Sequence, residues 1–235
     1  MKLSVLLPTL GHREVELSRL LDSLVAQDFK NFEVIIVSQD RHQQIKKIIK
    51  SYSELDINHI SIDEKGLSHA RNIGLKRCAG DIVVLSDDDC WYDNNAFSLI
   101  ANQFLEDPQL DCLLTQIYDM DNGILYKEYK ASSKKIRNIF RLMSVSSIEI
   151  SFRIDSFNCH FDECFGLGST LYPCGEEIDY LLTNFTGGKK YVYIPVVTVY
   201  HPRKDDNDKK RIFAKGALYA KHFNWFVAQI VLLRD

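Results

Sequence analysis

DIVVLSDDDCWYD, residues 81–93, decides the fold. A run of β-branched and aliphatic residues stops abruptly in three aspartates, followed by a cysteine and two aromatics. A continuous apolar run of this length reads as a strand covered on both faces. Three adjacent carboxylates repel one another and need cations, water or donors around them. The aspartates therefore mark the place where a buried strand opens onto a polar rim.

The same grammar repeats upstream. LSVLL (3–7) is a short buried strand that ends at Pro8-Thr9. Leu17, Leu20, Leu21 and Leu24 fall at i, i+3, i+4, i+7, the stripe of an amphipathic helix. FEVIIV (32–37) is a second strand, Ile45, Ile48, Ile49 and Tyr52 mark a second helix, and INHISI (57–62) is a third strand. GLSHARNIGLKRCAG (66–80) reads as a helix with Gly80 as its stop. Strands alternating with helices imply a mainly parallel sheet. Such sheets bind ligands beyond the carboxyl ends of their strands. Pro8-Thr9, Ser38-Gln39-Asp40 and Asp87-Asp88-Asp89 should therefore converge on one rim.

After about residue 110 the pattern changes. LDCLLTQIYD (110–119), an Asn122-Gly123 turn and ILYKEYK (124–130) read as a hairpin. KKIRNIFR (134–141) is basic and partly amphipathic, and SIEISFRID (147–155) alternates like a strand. GEEIDYLLTNF (175–185) is helical, with Ile178, Leu181, Leu182 and Phe185 on one side. YVYIPVVTVYHP (191–202) is a strand interrupted at Pro195. From Asp208 a helix follows, carrying Lys209, Lys210, Arg211, Lys215 and Lys221, then Trp225 and Phe226. Basic and aromatic residues in that pattern suit an anionic membrane surface. The plainer reading, a helix packed on the domain with a solvated lysine face, is preferred.

Composition bounds the rest. The chain has 235 residues, a formal net charge of −3 and 46% hydrophobic residues, enough for a large α/β domain. That charge argues against non-specific nucleic-acid binding. Six cysteines contain no CxxC pair, which favours reduced thiols in a cytoplasmic protein. Cys159, Cys164, Cys174 and His160 have the chemistry of a zinc site, but their spacing fits no common zinc module. The apolar run in MKLSVLLPTL is too short for a signal-peptide core, and no stretch of about 18 apolar residues exists to span a membrane.

Four constellations carry chemistry. Hard divalent cations take oxygen ligands and share substrate phosphates. A D-x-D spacing along a strand would put Asp87 and Asp89 on one side, with Asp88 turned away. The plain alternative is a solvated turn capping a helix that begins near Asn94 or Asn95. In GLSHARN, Arg71 offers a planar fork suited to phosphate, against the plain reading of an ordinary amphipathic helix. In GEEIDY, adjacent glutamates at a helix start are either dipole-favoured first-turn residues or a general base. Glu176 and Glu177 point about 100° apart on a helix, so one of them faces a site directly. His201, after a strand and before Pro202, is a metal ligand or a surface histidine.

The order SVLLPT, EVIIV, GLSHARN, DIVVLSDDDC, FDECFGLG, GEEIDY, VYHP resembles the family 2 glycosyltransferases of GT-A fold, above all bacterial enzymes that build cell-surface polysaccharide. The resemblance implies a nucleotide-diphospho-sugar transferase-like mixed α/β sheet flanked by helices. It spans residues 1–203, with a nucleotide-sugar half over 1–109, an acceptor half over 110–203, and a helical tail over 204–235. It implies that Pro8 and Thr9 lie against the nucleotide, and that Arg71, Asp87 and Asp88 contact the nucleotide sugar. Asp89, Asp87 and His201 would hold Mn²⁺ or Mg²⁺. The family's base-reading acid after the second strand is missing or moved to Asp40. The family's Glu-Asp pair falls on Glu176-Glu177, which makes Glu177 the base. The implied partners are a nucleotide-diphosphate sugar and a saccharide or lipid-linked saccharide acceptor. The implied location is cytoplasmic, with peripheral contact to the inner membrane face as an added expectation. Two other readings remain. A nucleotidyltransferase would want a glycine-rich signature after the first strand, where PTLGHRE has one glycine. A non-catalytic relative would have lost acids that are present here.

Overall fold

The computed structural model describes residues 1–158, 160–185, 188–203, 209–224 and 227–228, with the side chains of 209–212 left out. The chain begins with β1 (Leu3–Thr9), α1 (Glu14–Val25), β2 (Phe32–Ser38), α2 (His42–Ile49), β3 (Ile57–Ser61), α3 (Leu67–Leu75) and β4 (Ile82–Leu85). It continues with β5 (Trp91–Tyr92), α4 (Ala96–Glu106), β6 (Leu110–Asp119), β7 (Ile124–Leu125), β8 (Lys134–Ile136) and β9 (Ile150–Arg153). It ends with α5 (Glu176–Asn184), β10 (Lys190–Tyr200) and α6 (Lys209–His222).

Among the described residues these strands form one sheet, ordered β3-β2-β1-β4-β9-β6-β10-β5, with β7 beside β6 and β8 beside β10. The first four strands in this order run parallel. β9 then pairs antiparallel with both β4 and β6, and β6 with β10 is parallel again. One sheet thus passes through both halves of the chain.

Continuous apolar runs build it because both faces are covered. Along β1, Leu3, Val5 and Leu7 join the core under α1 and α4, while Leu6 joins the opposite core with Ala70, Leu75 and Phe152. The α1 stripe of Leu17, Leu20, Leu21 and Leu24 is fully enclosed. Each such side chain contributes roughly 1.5–3 kcal/mol by leaving water.

Three local expectations change. α3 stops at Leu75, well before Gly80, because tertiary donors and acceptors claim the backbone. Glu33, buried in β2, accepts from Ala79 N at 2.6 Å and Ser4 Oγ at 2.6 Å, and Gly80 N donates to Ser4 Oγ at 2.9 Å. Pro195 does not interrupt the last strand. β10 runs on through it with a register shift between Tyr193 and Val197, a bulge that tolerates a residue lacking N–H. The 147–155 segment keeps only four residues of strand, between two 3-10 turns.

α3 lies very close to the sheet at Gly74. A Cβ there would sit 2.3 Å from Leu6 Cδ1 and 3.0 Å from Val37 Cγ2. Gly74→Ala should therefore lower stability by about 1–3 kcal/mol, although alanine is worth about 1 kcal/mol more than glycine in an unconstrained helix. Urea denaturation checks the sign.

Candidate active site

The carboxyl ends of β1, β2 and β4 and the first turn of α5 open onto a cleft of about 660 Å³. Pro8, Thr9, Gln39, Asp87, Asp88, Asp89, Glu177 and His201 all line it, with Arg13, Lys65, Tyr126 and Ser147. Of the residues expected at this site, Ser38, Asp40 and Arg71 are outside this lining.

β4 ends at Leu85, so the aspartates lie in a turn rather than on a pleat. The strand alternation that would turn Asp88 away does not apply. Thr9 Oγ1 accepts from Gly11 N at 2.9 Å and donates to Asp88 Oδ2 at 2.6 Å, fastening the β1 loop to the acidic turn. Arg13 Nη1 meets Asp88 Oδ1 at 2.9 Å and Asp89 Oδ2 at 2.8 Å. His201 Nε2 lies 3.2 Å from Asp89 Oδ1. Asp87 accepts from Arg71 Nη2 at 3.1 Å and from Ser147 Oγ at 3.0 Å. Burial still holds the Asp88 carboxyl above its ordinary value, opposed by Thr9 and Arg13.

The residues after the aspartates are packing. Cys90 is enclosed, its backbone N–H donates to Asp87 O at 3.3 Å, and burial pushes its thiol up to about 12. A thiol so far from ionisation is no nucleophile. The Arg19 guanidinium lies over Trp91, 3.6 Å from the ring centroid, and Tyr92 packs edge-on against Phe97.

Arg71 does not reach the cleft wall. Its side chain is fully buried, and its two terminal nitrogens are taken by Asp87 and by Glu176 Oε1 at 3.0 Å. It links the β4 turn to the start of α5 from beneath. Phe161 lies under the guanidinium at 5.5 Å and stacks on Tyr180 at 3.9 Å. The fork drawn from GLSHARN as a phosphate contact is a strut between two carboxylates.

That strut separates the two glutamates. Glu176 is tied to Arg71, whereas Glu177 lines the cleft with Oε2 enclosed and lacking a hydrogen-bond partner among the described residues. Burial first, then the neighbouring Glu176 charge, hold the Glu177 carboxyl well above the ordinary range, and Arg71 only partly offsets them. An enclosed carboxylate oxygen without a donor is suited to accepting a proton.

After β2, Gln39 rather than Asp40 enters the cleft. Its Oε1 accepts from Gly66 N at 2.7 Å. Asp40 sits outside, held by Lys65 Nζ at 2.8 Å and by Arg41 N at 2.8 Å, and these donors lower its pKa to about 2. The 163–168 loop closes the side of the cleft. Leu167 O accepts from Leu67 N at 2.8 Å and Phe165 O from Ser68 Oγ at 2.5 Å. Gly168, with φ +84°, allows the approach, because a Cβ there would lie 3.2 Å from Gly66 Cα. Arg13 was not singled out from sequence, where it sits among polar residues with no period or motif. Gln39 was read only as part of the Ser38-Gln39-Asp40 strand end and this loop only as FDECFGLG in the family order, neither with a role of its own.

Among the described residues no group of three or more His, Cys, Asp or Glu side chains converges as a metal cage, and Cys159 lies outside those residues. Asp89 and His201 nevertheless suit a shared ion. A carboxylate oxygen suits Mn²⁺ or Mg²⁺, and a neutral imidazole nitrogen is a common metal ligand. Their donor atoms stand 3.2 Å apart, and the two residues would hold the ion between them.

α6 leans on this apparatus. Lys221 Nζ binds Asp162 at 2.7 Å and the buried Asp179 of α5 at 2.8 Å, and His222 Nε2 lies 2.6 Å from Asp179. Lys221 is therefore committed to the domain. The side chains of Lys209, Lys210, Arg211, Trp225 and Phe226 lie outside the described residues. No helix among the described residues is long and apolar enough to cross a membrane.

Comparison with known proteins agrees with this geometry. The chain is 32% identical over 129 residues to Glycosyltransferase GlyA of Streptococcus pneumoniae, covering 53% of this chain and 18% of GlyA. It is 28% identical over 142 residues to the poly(ribitol-phosphate) beta-N-acetylglucosaminyltransferase TarS of Staphylococcus aureus, covering 58% of this chain and 24% of TarS. The chain thus spans about a quarter or less of these relatives. The crystal structure of TarS 1–349 with UDP-GlcNAc superimposes with a TM-score of 0.72 at 19% identity, over 94% of this chain and 66% of that one. The mannosyltransferase PcManGT of Pyrobaculum calidifontis, in complex with GDP-Man and Mn²⁺, gives 0.67 at 17%, over 94% and 63%. The model of glycosyl transferase family 2 matches residues 4–162, which carry the acidic turn, the Thr9 loop and the Arg71 strut. With that match over most of its length and the GT-A sheet beneath it, the chain belongs to glycosyl transferase family 2.

Proposed function

We propose that this chain is an inverting glycosyltransferase that moves a sugar from a nucleotide-diphosphate sugar to an acceptor hydroxyl in the assembly of bacterial surface polysaccharide such as capsule, O-antigen or exopolysaccharide. One observation carries the reading. Glu177, whose Oε2 has no hydrogen-bond partner among the described residues, lines one cleft with the acidic turn of Asp87, Asp88 and Asp89, and a single arginine ties that turn to the start of α5. TarS and PcManGT, whose structures hold UDP-GlcNAc and GDP-Man, support a nucleotide-sugar donor.

Glu177 takes the proton of the acceptor hydroxyl as its oxygen attacks the anomeric carbon. The bond from that carbon to the diphosphate oxygen breaks, and the electron pair leaves with the diphosphate. Thr9 and Asp88 shape the β1 side, where Pro8 and Gln39 lie against the nucleotide. Asp40, outside the lining and bound to Lys65, is the weaker candidate for reading the base. Asp89 and His201 would hold Mn²⁺ or Mg²⁺, with Asp87 near them, and the bound ion supplies neutralisation of charge on the leaving diphosphate. The acceptor, a saccharide or lipid-linked saccharide, approaches past Tyr126, Ser147 and Leu167 on the later half of the chain. The protein works in the cytoplasm, with the α6 side as the face for any contact with the inner membrane surface.

Thermal shift with UDP-, GDP- and dTDP-sugars, with and without Mn²⁺, tests this. At a hundredfold excess over Kd, binding adds about 2.7 kcal/mol, which for a chain of this size raises the midpoint by about 5–10 °C. One donor series should do so in a metal-dependent way. No shift with any nucleotide sugar would overturn the reading.

A further inference from the structure

All six carboxylate oxygens of the acidic turn already have protein partners. Asp87 uses Arg71 and Ser147, Asp88 uses Thr9 and Arg13, and Asp89 uses His201 and Arg13. Four of these five partners are fixed by the fold or sit on short stems. Arg71 and His201 are buried, and Thr9 is buried at the end of β1. Ser147 belongs to a 3-10 turn beside β9. Arg13 is different. It lies on the loop just before α1, is about half exposed, and serves two carboxylates with one nitrogen, Nη1.

We infer that Arg13 is the resident cation of the acidic turn and that its guanidinium exchanges with the divalent ion when the donor binds. The inference rests on the metal reading above. Nη1 stands between Asp88 and Asp89 and holds Asp89 Oδ2, so an ion beside Asp89 Oδ1 and His201 meets a competing positive charge on the same carboxylate until Arg13 moves away. A half-exposed ion pair is held weakly, since water competes for both partners, and so the exchange is readily made. His201 points the same way. Its Nδ1 is enclosed and has no hydrogen-bond partner among the described residues. A histidine set permanently for a metal normally has that outer nitrogen hydrogen-bonded. The turn is therefore arranged for a protein cation in the absence of donor. Arg13 also lines the cleft, so once released its planar guanidinium stays beside the position of the diphosphate, where pairs of phosphate oxygens can accept its fork of donors. The substituted pair of charges keeps the buried carboxylates neutralised in both states.

Titration calorimetry of Mn²⁺ alone into wild type, Arg13→Gln, Arg13→Lys and Asp89→Asn tests this without turnover. Arg13→Gln should bind Mn²⁺ at least about fivefold tighter than wild type, because a competing cation of roughly 1 kcal/mol has gone. Arg13→Lys should stay close to wild type, and Asp89→Asn should lose the binding. Matching circular dichroism and thermal midpoints would show that the variants fold. Equal or weaker Mn²⁺ affinity in Arg13→Gln, with binding retained in wild type, overturns the exchange and leaves the metal reading standing. No Mn²⁺ binding in any of the proteins, with nucleotide-sugar binding intact in the absence of metal, overturns both.

Discussion

Glu177→Gln should lower kcat by about 10³-fold, within the range a positioned general base contributes, while the Kd for the donor with Mn²⁺ changes by less than about twofold. The substitution keeps shape and removes only the ability to accept a proton. The proposed donor contacts are on the other side of the Arg71 strut, in the β1 loop and the acidic turn, so the substitution should leave them intact. Single-turnover kinetics and calorimetry with the same donor separate the two quantities. Near-normal turnover would remove Glu177 from the role of base. Weakened donor binding with little loss of kcat would make it a donor residue instead.

The pH behaviour follows from the same side chain. Burial and the charge of Glu176 raise the Glu177 carboxyl well above the ordinary glutamate range, and it must be ionised to accept a proton. The rate should therefore rise with pH through a limb above that range, and the residual rate of Glu177→Gln should lack the limb. The stability sign is opposite. A carboxyl raised in the folded state holds its proton more tightly there than in the unfolded chain. Its stabilising contribution is present at low pH and is lost as pH rises through the folded value. Relative to wild type, Glu177→Gln should become more stable as pH increases.

The apolar runs made the sheet legible, because a run such as FEVIIV has few other homes than a strand covered on both faces. The three strand ends named from sequence each give at least one residue to one cleft, together with Glu177 and His201. What sequence could not reveal lies in contacts across long separations. Glu33 ends α3 from 46 residues away by accepting from Ala79 N, and no local propensity shows that. Asp88 was read as turned away because strand alternation was extended past Leu85, where the chain is already turning. Arg71 looked like a phosphate ligand because a fork of donors is equally good for phosphate and for carboxylate. Only the packing of α5 against the β4 turn decides which it meets.

That decision has a large measurable consequence. Arg71→Met keeps most of the volume and removes the charge shared by Asp87 and the buried Glu176. Breaking a buried ion pair by removing one partner costs about 3–5 kcal/mol, since the remaining charge has no water to return to. In a chain of this length the loss should lower Tm by on the order of 10 °C. A residue that merely touched the diphosphate would lower donor affinity and leave the Tm of the donor-free protein unchanged. The double variant Arg71→Met with Glu176→Gln should recover part of the loss, because the stranded carboxylate goes with it. The non-additive part of the cycle then measures the coupling directly. An unchanged Tm in Arg71→Met would return the arginine to the cleft as a ligand. Strict additivity would mean that Glu176 is held by something else. With the loss and its partial rescue, Arg71 is what keeps the two glutamates distinct: it claims the Glu176 carboxylate, partly offsets its charge, and leaves Glu177 as the carboxylate with an unclaimed oxygen at the cleft among the described residues.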